Sequence, residues 1–208
     1  MTAHGRDLNR VTEAPNLAAF YTATGGANWN NNAGWNMFNT NNDGYACISP
    51  GGGIYTTANW HGIVVCSFTG EAAMVFLNSN NLRGTIPTQI GALTSLQYAL
   101  RLSSNSISGT LPTQLGLLTS LRSLELQHNS ISGTLPTQLG RMSALRTLSV
   151  YDNDLTGMIV PSVGSLNSLD ECRLTAEQKP ASDVYAGRFN NRFRCPLAGD
   201  ALANNCSL

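Results

Sequence analysis

A 24-residue period constrains this chain more than any other feature of its sequence. Asn80, Asn105, Asn129 and Asn153 follow one another at spacings of 25, 24 and 24. Gly84, Gly109, Gly133 and Gly157 keep those spacings, as do Gly91, Gly116, Gly140 and Gly164. Each unit reads Leu-x-Leu-x-x-Asn-x-Leu-x-Gly-x-Ile/Leu-Pro, most clearly over 100–112 and 124–136. The second unit carries one extra residue between Leu96 and Leu100, where a bulge is expected. Leu124 and Leu126 sit two apart, so both point to one face of a short strand. Their equivalents are Val75 and Leu77, Leu100 and Leu102, Leu148 and Val150, then Cys172 and Leu174. Each unit buries this face only when the next unit covers it, so the chain is expected to stack nearly one-dimensionally.

The repeated polar and special residues have structural duties in such a stack. Each Asn follows its strand, where the chain turns, and a buried Asn can satisfy turn backbone groups and link to the next unit. The Gly and Pro positions supply a turn and an extended segment. A fifth unit begins at Leu169 and then decays, with Glu177 at the Asn position. The expected organisation is an N-terminal cap over 1–71, about five repeats over 72–177, and a C-terminal cap over 178–208.

The unit resembles the leucine-rich repeat, and its Ser-Gly-Thr-Leu-Pro segment resembles the plant-type variety. The resemblance implies an α/β fold, a right-handed solenoid with a parallel concave sheet and disulfide-stapled caps. In the cap, 15–24 is expected as a short helix with Leu17, Phe20 and Tyr21 on one face, stopped by Gly25-Gly26. The segment from Phe20 to Trp29 resembles the cap of free-standing algal and protist leucine-rich repeat proteins. Trp60-His61-Gly62-Ile63-Val64-Val65-Cys66 resembles the signature before the first repeat of plant ectodomains, with one extra residue. His61 is read there as packing. The resemblance implies two disulfides, Cys47–Cys66 and Cys195–Cys206. The first would close about 20 residues and stabilise by roughly 3 kcal/mol in the loop-entropy model. Cys172 replaces a core Leu by period and is expected as a buried free thiol.

Composition bears on function mainly by exclusion. Twelve bases balance twelve acids and charged residues make up 12% of the chain, which gives no electrostatic case for nucleic acid. No apolar run reaches the roughly 18 residues of a membrane helix. Two disulfides imply an oxidising compartment, hence a secreted protein whose signal peptide is absent from this chain. There is no phosphate-binding Gly loop, His-Glu-x-x-His or Gly-x-Ser-x-Gly, so neither an enzyme nor a cofactor is expected. Asn39 to Gly44 faintly resembles a calcium loop and is read as a turn-rich loop.

The family resemblance implies binding through the exposed strand residues of the concave face. One column by period is Phe76, Arg101, Glu125, Ser149 and Arg173. A second includes Gln127 and Tyr151, and a third includes Ser79, Ser104, His128 and Asp152. Tyr and Arg are favoured hot-spot types, although Arg101 and Glu125 are also placed to pair with each other. Such a face covers on the order of 300 Å², below the roughly 800 Å² per partner of a standard protein interface. The expected partner is an unidentified extracellular protein, peptide or small glycan. Two other readings remain: an ice- or polysaccharide-binding surface built on Thr85, Thr110, Thr134 and Thr88, Thr113, Thr137, or a structural wall component.

Overall fold

The computed structural model describes residues 13–35, 61–66, 72–158, 166, 168–174, 191–194 and 206–207. Among the described residues a helix, α1 (Glu13–Ala23), precedes twelve strands. These are β1 (Ile63–Cys66), β2 (Ala72–Phe76), β3 (Arg83–Thr85), β4 (Ala99–Arg101), β5 (Ser106–Thr110) and β6 (Ser123–Glu125). There follow β7 (Ser130–Gly133), β8 (Thr147–Ser149), β9 (Asp154–Met158), β10 (Glu171–Arg173), β11 (Arg192–Arg194) and β12 (Cys206–Ser207). They form two sheets. One has the order β1-β2-β4-β6-β8-β10-β12, the other β11-β9-β7-β5-β3. Apart from the antiparallel β1–β2 pair, the pairings are parallel. Each unit thus adds one strand to each sheet, the solenoid expected from the period.

The core lies between the sheets and is built in layers. Leu100, Leu124 and Leu148 pair in register across β4, β6 and β8 and are fully buried. Leu102, Leu126 and Val150 extend the same layers. After each Pro (Pro87, Pro112, Pro136) a 3-10 turn closes the unit: Thr88–Ala92, Thr113–Leu117 and Thr137–Arg141. Gly116 lets neighbouring turns meet, because a Cβ there would lie 2.2 Å from the Gln138 carbonyl oxygen.

The Asn row is a continuous hydrogen-bond ladder. Asn129 Nδ2 donates to the carbonyls of Leu102 and Leu126, and its Oδ1 accepts from the Ile107 N–H. Asn153 repeats this with Leu126, Val150 and the Ile131 N–H. The first rung, Asn80, exchanges hydrogen bonds with the backbone of Asn31 in the cap.

The ends depart from the sequence expectation in three ways. First, the fifth rung exists: Asn191 Nδ2 donates to Val150 and Leu174 carbonyls and its Oδ1 accepts from the Leu155 N–H. It arrives seventeen residues after Leu174, where regular units need three, and β11 then joins β9. The solenoid geometry is continued where the period had ended. Second, Cys172 is disulfide-bonded. This corrects the free-thiol reading: the core position is filled, and β10 faces β12 with Cys172 in register with Cys206. Third, His61 is exposed rather than packed. Its backbone makes the contacts, with its carbonyl accepting from Trp35 Nε1 at 2.7 Å.

The described part of the N-terminal cap packs an aromatic cluster on the first layer. Phe20, Trp29 and Trp35 are buried, and Trp29 meets Trp35 edge-on at 4.9 Å. The helix begins two residues before its expected start, with Pro15 in its first turn, where a missing N–H costs nothing. Cys47, Cys195 and the Asn39–Gly44 loop lie outside the described residues, as do the side chains of Cys66 and Cys206.

Candidate functional site

Two exposed surfaces result: the face of the seven-stranded sheet turned from the core, and the turns that follow its strands. On the sheet face the structure brings Phe76, Arg101 and Glu125 together. Arg101 Nε lies 2.8 Å from Glu125 Oε1, and its guanidinium carbon stands 5.6 Å from the centre of the Phe76 ring. Glu125 also accepts from the Ser123 hydroxyl at 2.8 Å. The pairing anticipated for Arg101 and Glu125 therefore forms, between half-buried side chains at the sheet surface, where such pairs contribute about 0–1 kcal/mol. Phe76 keeps 39% of its surface exposed, so it does not disappear beneath the cap.

Further along the stack the candidates differ in access. Ser149 is only 4% exposed and offers almost no side-chain surface. Arg173 is half exposed and pairs with Glu171 of its own strand at 2.7 Å. Tyr151 lies edge-on to His128, with ring centres 5.0 Å apart, and His128 Nδ1 lies 2.8 Å from Asp152 Oδ2. Gln127 Oε1 is buried and has no hydrogen-bond partner among the described residues. A buried acceptor without a donor costs about 1–3 kcal/mol.

His128 and Asp152 also line a groove of about 530 Å³ that runs across the turns of four successive units. Ser79, Ser104, His128 and Asp152, one column by period, all adopt the left-handed backbone conformation, with φ between 50° and 57°. That conformation turns the chain sharply out of each strand and sets the row facing the groove. Asn30 of the cap closes one end, tied there by its N–H to the Asn80 carbonyl at 3.0 Å. Ser106 and Ser130, at the starts of β5 and β7, form part of the wall. The period aligns positions along the stack, so it named the column and missed these residues from across the turn.

A third feature follows from the extra residue of the second unit. Arg146 and Thr147 both donate to one carbonyl, that of Arg122, whereas Arg122 and Ser123 donate separately to Gln97 and Tyr98. The insertion is absorbed there, and Tyr98 is left 45% exposed with Arg122 over its ring at 5.7 Å.

Both Thr rows are exposed: Thr85 and Thr110 end β3 and β5 and Thr134 follows β7, whereas Thr88, Thr113 and Thr137 begin the 3-10 turns. Ser108, Ser132 and Thr156 donate in turn to the carbonyls of Gly84, Gly109 and Gly133. Thr88, Thr113 and Thr137 each donate to the following Gln side chain at 3.2–3.3 Å. No cluster of three or more potential metal ligands occurs among the described residues. No helix among them is long and apolar enough to cross a membrane.

A family model, Leucine Rich Repeat, matches residues 120–142 and 144–166. No curated protein matches the sequence. Among solved structures, a chain of the BIR3–SERK2 complex from Arabidopsis thaliana is 29% identical, with a TM-score of 0.51 over 62% of this chain and 75% of that one. The BIR2 ectodomain from Arabidopsis thaliana is 26% identical, with a TM-score of 0.54 over 82% of each chain. A plant ice-binding protein is 24% identical, with a TM-score of 0.62 over 79% of this chain and 47% of that one, a likeness of fold. The matched model describes a structural repeat and not a catalytic domain.

Proposed function

Because this chain is a leucine-rich repeat protein of the plant type, we propose that it is a secreted, non-catalytic recognition module. Its ligand is a protein, peptide or small glycan lying across the turns and the adjoining outer face of the seven-stranded sheet. The observation that carries this is the groove of about 530 Å³, continuous with the column Ser79, Ser104, His128 and Asp152. Phe76, Arg101, Glu125, Tyr151 and Arg173 supply the rest of the contact surface, and Ser149 little.

Secretion rests on the same kind of argument. A disulfide at Cys172 favours an oxidising compartment. The residue in register with it is Cys206, so Cys172–Cys206 is the pairing we propose, in place of Cys195–Cys206. Cys47–Cys66 is retained as the cap pairing.

The test is retention of partners from secreted and cell-surface extracts, read by mass spectrometry. The wild type is compared with an Arg101→Glu, Tyr151→Ala double variant of equal melting temperature. A partner held by wild type and lost by the variant is expected. A partner held equally by both would move the site off this face. A second reading, binding to ice or to a polysaccharide surface, is favoured by the exposed row Thr85, Thr110 and Thr134 along the five-stranded sheet. Thermal hysteresis in the wild type, abolished by Thr110→Tyr, would support it.

A further inference from the structure

We infer that the groove across the turns binds an uncharged oligosaccharide, held by serine hydroxyls. This rests on the recognition reading above and names the ligand class of that same site.

The groove's chemistry excludes the other ligand classes one by one. Among the described residues no Lys or Arg lines it, so an anion finds no counter-ion. The one carboxylate that lines it among the described residues, Asp152, stands 2.8 Å from His128 Nδ1, so a cation finds no unengaged acid there. Among the described residues no apolar side chain lines it, so a hydrophobic ligand gains little burial. An extended peptide would add to free backbone N–H and C=O groups at a sheet edge. Here those donors are spent between units: the N–H groups of Ser79, Ser104 and His128 donate to the carbonyls of Ser103, Gln127 and Tyr151 at 3.0, 2.9 and 3.2 Å. The Asn105 and Asn129 amides are spent too, in the ladder.

What remains is side-chain hydroxyl. Ser79, Ser104, Ser106 and Ser130 line the groove, and their hydroxyls make no hydrogen bond among the described residues. A hydroxyl donates and accepts, as the hydroxyls of a sugar do. Ser79 and Ser104 are one unit apart, as are Ser106 and Ser130, a step of about 4.8 Å between neighbouring strands. Hydroxyls repeating at a fixed step along a groove suit a ligand that is itself a repeating polyol. Tyr151, edge-on to His128, places an aromatic ring beside the groove, where a sugar face can pack.

Isothermal titration calorimetry of the full chain tests this. The probes are xylohexaose, cellohexaose and laminarihexaose, with an oligogalacturonate and a neutral pentapeptide as alternatives. Two variants are compared with wild type: the quadruple Ser79→Ala, Ser104→Ala, Ser106→Ala, Ser130→Ala, which removes hydroxyls, and Ser130→Trp, which fills the groove. Circular dichroism verifies folding. The expected result is a neutral hexaose bound by wild type and at least ten-fold more weakly by both variants. Tighter binding of the charged oligosaccharide or the peptide would overturn the ligand class while leaving recognition at this face intact. A neutral hexaose bound equally by all three proteins would overturn the placement in the groove. Binding of none of the probes would overturn the oligosaccharide assignment, and the extract-retention experiment would then decide the recognition reading separately.

Discussion

The middle units and the last unit meet the same structural demand by different means. In the third and fourth units Leu124, Leu126, Leu148 and Val150 fill the strand positions and an Asn follows three residues after the second, so period and hydrogen bonds coincide. In the last unit Cys172 stands where the leucine should be and is disulfide-bonded, and the Asn rung is supplied by Asn191. The carbonyl pair that Asn191 serves, Val150 and Leu174, corresponds to the pair served by Asn153, Leu126 and Val150. A solenoid therefore fixes which backbone groups must be satisfied at its end, and leaves open which part of the chain satisfies them. An open end has no next unit to cover its layer, so a covalent link and a late rung substitute for one.

The sharpest way to break this comparison is to remove the covalent substitute. Cys172→Ser is expected to destabilise by about 4 kcal/mol in the loop-entropy model for a link to Cys206. Chemical denaturation measures the loss, and non-reducing peptide mapping should show one fragment pair joining Cys172 and Cys206. Next in size are the rungs. Asn153→Ala and Asn191→Ala should each cost about 1–3 kcal/mol by leaving buried carbonyls and an N–H unpaired. Equal losses in urea melts would make Asn191 a full rung, and a negligible loss at Asn191 would make it an accidental neighbour. A smaller effect is expected on the sheet face. A double-mutant cycle on Arg101→Ala and Glu125→Ala should give a coupling of about 0–1 kcal/mol, fading in high salt. Smallest is the groove: Ser104→Ala should change stability by no more than about 0.5 kcal/mol, because its hydroxyl holds nothing within the described fold.

The middle of the stack was legible from the sequence because stacking repeats every requirement. Leu124 is constrained by the same neighbours as Leu100 and Leu148, so its role shows as a period. Asn191 was missed for the opposite reason: an insertion separates it from Leu174, although Asn191-x-Phe193 keeps the Asn-x-apolar spacing of Asn129-x-Ile131 and Asn153-x-Leu155. Cys172 was placed correctly in the core by period, but period is silent on a covalent partner from a distant segment. The column of Ser79, Ser104, His128 and Asp152 was visible as a column. That it forms one wall of a groove was not, because Asn30 and Ser106 reach it through the cap contact and the turn geometry. Arg101 and Glu125 were legible as a pair, since neighbours in one column must stand about one strand spacing apart.

The central claim is that recognition uses the face and turns of the seven-stranded sheet and not the Thr row of the other sheet. Side-by-side retention from one secreted and cell-surface extract tests it most directly. Wild type is compared with Arg101→Glu, Tyr151→Ala on one face and with Thr110→Tyr, Thr134→Tyr on the other, all verified as equally folded. The account predicts that the first variant loses the bound component and the second keeps it. Loss by the Thr variant alone, with full retention by the Arg101, Tyr151 variant, would contradict it.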